Sequence, residues 1–186
     1  MPQVHSHVDE TGQDTKGDKF ILGVVNINDD RSVALQLATR LELSTGRGRN
    51  KWIKTTDTKK LVYVKALLST HVFKGCLYYA VYRNTNDFLT CTIAGTAAAI
   101  KAHASDSRAL VRVDGLTKAQ RNIFAVGLRR RAIATEKVRG VDDQGDALVR
   151  MADALCGFTR LALSEDNTFT QLLKNAERDG FIVRVT

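Results

Sequence analysis

The stretch that decides the fold is residues 109–138, ALVRVDGLTKAQRNIFAVGLRRRAIATEKV. Ala109-Leu-Val-Arg-Val-Asp114 is a short apolar run that stops at an acid, with Gly115 directly behind it. That is the pattern of a strand running into a turn. Thr117 supplies a helix cap, and the helix runs from Lys118 to about Arg130. Ala132 to Val138 is then the next strand. A strand–helix–strand unit of this kind lays its two strands parallel, joined by a right-handed crossover.

Working outward, the start of the chain is different. Val4, Ser6 and Val8 alternate with His5, His7 and Asp9, which predicts a strand. Gly12 to Asp18 is a polar turn, and Phe20 to Ile27 is a second, strongly apolar strand. A connection of roughly ten residues makes these two an antiparallel hairpin. Asp29 or Asp30 caps a helix to Leu43, with Val33, Leu37 and Leu41 on its buried face. Thr56-Asp57 caps a helix carrying Leu61, Val64, Leu67, Leu68 and His71. Cys76 to Tyr82 is the third strand, with Tyr78, Tyr79 and Tyr82 packing on its faces. Asn86-Asp87 starts an alanine-rich helix through Ala94 to Ala104. A helix from about Asp146 to Leu163, a last helix from about Asp166 to Arg178 and a strand at Phe181–Val185 close the chain. The expected order is β-β-α-α-β-α-β-α-β-α-α-β: one domain over 1–186, a mixed α/β sheet covered by helices on both faces.

Composition narrows the function. The chain has 186 residues, 28 Lys plus Arg against 20 Asp plus Glu, and a formal charge of +8. A basic excess favours an anionic partner, nucleic acid first. Cys76, Cys91 and Cys156 are widely spaced, so a structural zinc site is not expected. An odd cysteine count suits a reducing cytoplasm. MPQVHSHVDETGQDTK at the start lacks the apolar core of a signal peptide, and no apolar run approaches about 20 residues. The expectation is a cytoplasmic protein with no membrane span. No G-x-G-x-x-G follows a strand, which argues against a dinucleotide enzyme.

The informative residues are acids at the ends of apolar strands. Asp9 ends the first strand and Asp114 the fourth. If those strands are parallel neighbours, both acids emerge side by side at a carboxyl edge, where α/β sheets bind ligands. Adjacent carboxylates repel unless a proton or cation lies between them. Oxygen ligands without Cys or His point to Mg²⁺ or Mn²⁺. Asp142, Asp143 and Asp146 follow the fifth strand. Asp146, Arg150 and Asp153 share one helical face, and Asp153 sits inside an otherwise packing segment. Bland readings stand beside these. Asp142, Asp143 and Asp146 also fit helix caps, and Asp114 and Asp9-Glu10 fit turn residues. Asp153 also fits a salt bridge to Arg150 or Arg160. His5 and His7 share a strand face and read as packing, not as metal ligands. Residues 44–51, STGRGRNK, form a Gly-interrupted basic loop. Arg47, Arg49 and Lys51, with Trp52 beside them, suit phosphates or an unstacked base, or simply a solvated loop.

Taken together, Val8-Asp-Glu-Thr-Gly12, Lys51-Trp-Ile-Lys54, Val113-Asp-Gly115 and Asp142-Asp143 followed by Arg150-Met-Ala-Asp-Ala-Leu-Cys-Gly157 resemble the motifs of the DUF3800 family. That family belongs to the ribonuclease H-like superfamily, and the resemblance spans about residues 4–163. Thr11 stands for the family's Ser, Asp143 for a Ser and Arg150 for a Gln. The resemblance implies a ribonuclease H-like five-stranded sheet in order 3-2-1-4-5, with residues 164–186 as an added helix and strand. It implies a divalent-metal-dependent nuclease cutting RNA or DNA with two metal ions, with Asp9, Asp114, Asp153 and Asp142 or Asp143 as catalytic metal ligands. Glu10, Lys54, Asp146 and Arg150 would support them, Lys54 as a phosphate or carboxylate partner and Arg150 as a phosphate holder or a neutraliser of Asp153. The alternatives are a non-catalytic nucleic-acid-binding module, or a module that binds a protein partner or a second copy of itself.

Overall fold

The computed structural model describes residues 1–15, 18–28, 30–142, 145–164 and 167–186. Among the described residues six strands are formed: β1 (Gln3–Thr11), β2 (Lys19–Ile27), β3 (Leu77–Arg83), β4 (Arg108–Asp114), β5 (Ala134–Val141) and β6 (Ile182–Arg184). The helices are α1 (Arg31–Ser44), α2 (Asp57–Ser69), α3 (Phe88–Ala104), α4 (Lys118–Arg130), α5 (Ala147–Ala162) and α6 (Asn167–Arg178). Among the described residues the sheet order is β5-β4-β1-β2-β3-β6. The expected five-stranded order is present, and β6 extends it by pairing parallel to β3.

β1 and β2 are antiparallel, as are β2 and β3, whereas β1, β4 and β5 run parallel. The hairpin and the crossover unit thus meet at the β1–β4 junction. Local chemistry supports each piece. Thr117 and Gln120 form a reciprocal capping box at the start of α4, and Asp87 accepts from the Thr90 N–H at the start of α3. Two apolar cores flank the sheet. One, under α1, α2, α5 and α6, contains Val25, Tyr63, Leu148, Met151, Leu155 and Phe158. The other, under α3 and α4, contains Val4, Val8, Val24, Ile100, Val111, Val113, Phe124 and Leu128.

Two expectations shift. The buried stripe of α1 is Ala34, Ala38, Leu41 and Glu42, while Val33 is 50% exposed. The helix is rotated so that the Glu42 carboxylate can meet buried arginines. β5 runs to Val141, three residues beyond the expected Val138, because its ladder with β4 continues until Val141 faces Asp114.

α5 crosses the sheet closely because two glycines allow it. A Cβ on Gly23 would lie 2.6 Å from the Ala152 carbonyl oxygen, and one on Gly157 would lie 2.0 Å from the Trp52 ring. Substitution at either position would force backbone or a buried ring to move. Among the described residues no helix is long and apolar enough to cross a membrane.

Candidate functional site

The site begins where β1 and β4 part. Their ladder ends at Val8 opposite Val113, so Asp9 and Asp114 are the next residues on two diverging parallel strands. β1 continues alone against β2 through Glu10 and Thr11. Val111 and Val113 point into the α3–α4 core, so Asp114, one residue on, takes the α5 side. Asp9 does the same, and its neighbour on β2 is Gly23, which has no side chain to crowd it. At the same edge a cleft of about 680 Å³ opens toward the starts of α3 and α4, lined by Asp9, Glu10, Asp114, Asp87, Thr117 and Gln120 among others.

α5 brings the third acid. Burial pushes the Asp9 carboxyl well above its ordinary range, and the Asp153 and Asp114 carboxylates push it further. The Glu10 N–H opposes this by donating to Asp9 Oδ1 at 2.7 Å. Glu10 is itself pushed up to about 7 by burial and then by Asp114, against a hydrogen bond from Thr92. The buried Cys156 thiol is pushed well above its usual value by burial and then by Asp9 and Asp153; its Sγ donates to the Asp9 carbonyl at 3.1 Å. Asp9 therefore feels both Asp114 and Asp153. Asp142 lies exposed directly after β5, whose last residue faces Asp114, so it shares the same edge. Asp143 lies outside the described residues.

The cations are not where the sequence placed them. Asp153 Oδ2 accepts from the Trp52 N–H at 2.8 Å and from Arg47 Nη2 at 3.3 Å. Arg47 is 0% exposed. Its Nη2 also donates to the Arg150 carbonyl, its Nη1 is 3.6 Å from Glu42, and its guanidinium lies 4.7 Å from the Tyr63 ring centroid. A phosphate cannot reach Arg47 without unfolding this corner, so it is a positioning residue rather than a nucleic-acid contact. Arg150 is corrected in the same way. It is 3% exposed and forks onto Glu42 through two hydrogen bonds of 2.8 Å. Buried in that fork it is not open to a phosphate, and the cation that meets Asp153 among the described residues is Arg47. Trp52 is also buried, seated on Gly157, and lines a second cavity of about 410 Å³ with Asp153 and Arg160. It is not an open stacking platform.

Lys51 and Arg49 are exposed, as a nucleic-acid contact requires. Lys51 Nζ is 4.0 Å from Asp114 Oδ2. It takes the carboxylate-partner position expected of Lys54, which lies exposed at the end of the short 3-10 turn Trp52–Lys54. Asp146 is drawn into a separate cluster. It caps α5 through the Leu148 N–H and pairs closely with Arg31, and with Arg112 at 3.9 Å. His7 is buried beside it, with a pKa lowered to about 3 by burial. Arg31 donates to His7 Nε2 at 3.1 Å, so its Nδ1–H donates to the Val25 carbonyl at 3.3 Å. The expectation that His7 packs in the core holds.

Glu42 and Tyr63 escaped the sequence reading. The only signal was a Glu beside Leu41 on a helix whose apolar spacing was ambiguous. Donor chemistry at the edge suits a hard divalent cation: carboxylates only, repelling one another. Among the described residues, however, no three carboxylates already form a ready-made metal nest. Arg47 and Lys51 hold two of the acids from outside.

A scan against protein-family models finds no match, and neither does a search of curated proteins. Solved structures do match. The ribonuclease H2 from Pyrococcus horikoshii OT3 aligns with a TM-score of 0.56 at 13% identity, covering 94% of this chain and 76% of that one. The ribonuclease HII in a complex with PCNA from Archaeoglobus fulgidus aligns with a TM-score of 0.44 at 14% identity, covering 96% and 91%. The fold is ribonuclease H-like.

Proposed function

We propose that this protein is a divalent-metal-dependent nuclease that hydrolyses phosphodiester bonds in RNA or DNA at the Asp9–Asp114–Asp153 edge. The observation that carries the reading is the emergence of Asp9 and Asp114 side by side where β1 and β4 part, with Asp153 of α5 raising the Asp9 carboxyl. Asp9, Asp114 and Asp153 would hold Mg²⁺ or Mn²⁺, with Asp142 on the same edge as the further ligand. When bound, such ions polarise the phosphate and lower the pKa of a water. The chain's own residues do the rest. Arg47 and the Trp52 N–H fix the direction of Asp153. Lys51, exposed beside Asp114, can turn from that carboxylate to a substrate phosphate. The cleft of about 680 Å³ admits a strand to the carboxylates.

The contacts of Arg47 and Lys51 favour a second reading, a non-catalytic nucleic-acid-binding module whose acids are neutralised from within. A cleavage assay separates the two. Wild type and Asp114→Asn meet labelled single- and double-stranded RNA and DNA and RNA–DNA hybrids, with Mg²⁺, Mn²⁺ or EDTA. The nuclease reading expects metal-dependent cutting that falls by roughly 1,000-fold or more in the variant, about 4 kcal/mol of transition-state stabilisation. Salt-sensitive binding with no cutting by wild type on any substrate overturns it in favour of the binding module.

A further inference from the structure

The β4–β5 ladder places Leu110 opposite Lys137, Arg112 opposite Arg139 and Asp114 opposite Val141. Alternate residues of a strand share a face. Arg112 and Asp114 therefore line the α5 side together with Lys137 and Arg139. α5 lies across β1 and β2 and leaves this outer strip open: Lys137 and Arg139 are exposed, and Arg112 is half-buried. A shallow depression runs between Leu110, Arg112, Lys137 and Arg139. Arg31 of α1 stands beside it. The facing carboxylate is Asp146, shared by Arg31 and Arg112. Among the described residues Lys137 and Arg139 have no ion-pair partner.

An uncovered sheet face with two unbalanced cations is a costly surface for a protein to leave bare against its own +8 charge. Its position explains it. Same-face residues are spaced about 6.6 Å along a strand, so Arg139 lies one step and Lys137 two steps from the Asp114 end. We propose that this strip, with Lys137 and Arg139 as its contacts and Arg112 behind them, is a phosphate track that carries a nucleic-acid strand across β4 and β5 to the carboxylate edge. It rests on the reading of that edge as the place where nucleic acid is met. It adds a direction: the strand enters over the open β5 side of the sheet, not only through the cleft under α3 and α4.

Binding is measured by fluorescence anisotropy in EDTA, so that nothing is cut, on labelled single- and double-stranded oligonucleotides between about 50 and 200 mM NaCl. Lys137→Ala/Arg139→Ala removes the track. Lys101→Ala/Arg130→Ala removes the same charge from exposed positions on α3 and α4, across the sheet. The track variant should bind about tenfold more weakly, and its slope of log affinity against log salt should flatten by roughly 1.4–1.8, the share of two phosphate contacts. The control should keep the wild-type slope. Equal losses in both variants, an unchanged slope in the track variant or no binding by wild type would each overturn the proposal. Cleavage separates the two readings. Cutting by wild type that the track variant retains in full at low substrate leaves the nuclease reading standing and removes the track. A track that governs binding while wild type cuts nothing leaves the track standing and removes the nuclease.

Discussion

Asp146 and Asp153 lie two turns apart on α5, and the protein treats them in opposite ways. Asp146 is nearly buried, caps the helix and meets Arg31 and Arg112, beside a neutral His7. Its charge is balanced by cations from the strand and helix that it joins. Asp153 is held from one side by Arg47 and the Trp52 N–H, and on the other it acts on the Asp9 carboxyl. One acid closes the structure, while the other is aimed at more acids. The spacing that put both on one helical face could not tell them apart. What differs is the strand residue beneath each: His7 and Arg112 at one level, Asp9 and Asp114 two residues further along.

The largest effect should come from breaking the network behind Asp153. Arg150→Ala leaves the Glu42 carboxylate, 1% exposed, without its forked partner. Among the described residues Arg47, 3.6 Å away, would remain its one cation in place of two close hydrogen bonds, and breaking a buried pair costs about 3–5 kcal/mol. Urea unfolding should show a loss of that size with an unchanged m-value. Arg150→Met with Glu42→Leu, which removes both charges, should recover much of it. A loss under about 1 kcal/mol in Arg150→Ala would mean that the network does not hold the Asp153 end together.

The fold was legible to the degree that it rests on local patterns. The capping box at Thr117, the apolar runs of β1 to β4 and the Asp87 cap are all written in neighbouring residues. Asp9 and Asp114 were legible too, because an acid ending an apolar run has no local reason to be there. The cations were not. Arg47 and Arg150 sit about one hundred residues apart in sequence and meet only because Gly23 and Gly157 let α5 descend onto the sheet and Trp52. An arginine in a Gly-rich stretch looks solvated unless its distant carboxylates are known. Glu42 failed for the same reason: its helix buries it to serve partners from another part of the chain.

The second prediction sharpens the contrast through pH. Glu10 ionises near 4.5 when unfolded but is pushed up to about 7 in the fold, so the folded protein holds the extra proton between those values. Asp9 moves in the same direction. These two carboxyls should therefore lower stability without metal as pH rises from about 4.5 to 7, Glu10 by about 3 kcal/mol, while His7, ionising near 3 in the fold against 6.5 when unfolded, raises it up to about pH 6.5. Melting curves in EDTA on wild type and Glu10→Gln isolate the Glu10 share as their difference, wild type losing more stability than the variant as pH rises. Added Mg²⁺ or Mn²⁺ should flatten that loss if the edge binds a cation. Parallel pH profiles of wild type and Glu10→Gln would contradict the account of the carboxylate edge.

The smallest effect belongs to the closed end of the comparison. Asp146→Asn keeps an amide oxygen able to cap the Leu148 N–H but removes the negative charge between Arg31 and Arg112. His7 stays neutral at pH 7, so the cost is two charge-assisted contacts in a partly buried place, about 1–2 kcal/mol. Thermal unfolding should register that loss. The kcat of metal-dependent cleavage should not change, because a clamp between α5 and the strands touches no reacting atom. A drop in kcat comparable to that of Asp114→Asn, in protein still folded by circular dichroism, would make Asp146 a member of the carboxylate edge and erase the distinction between the two ends of α5.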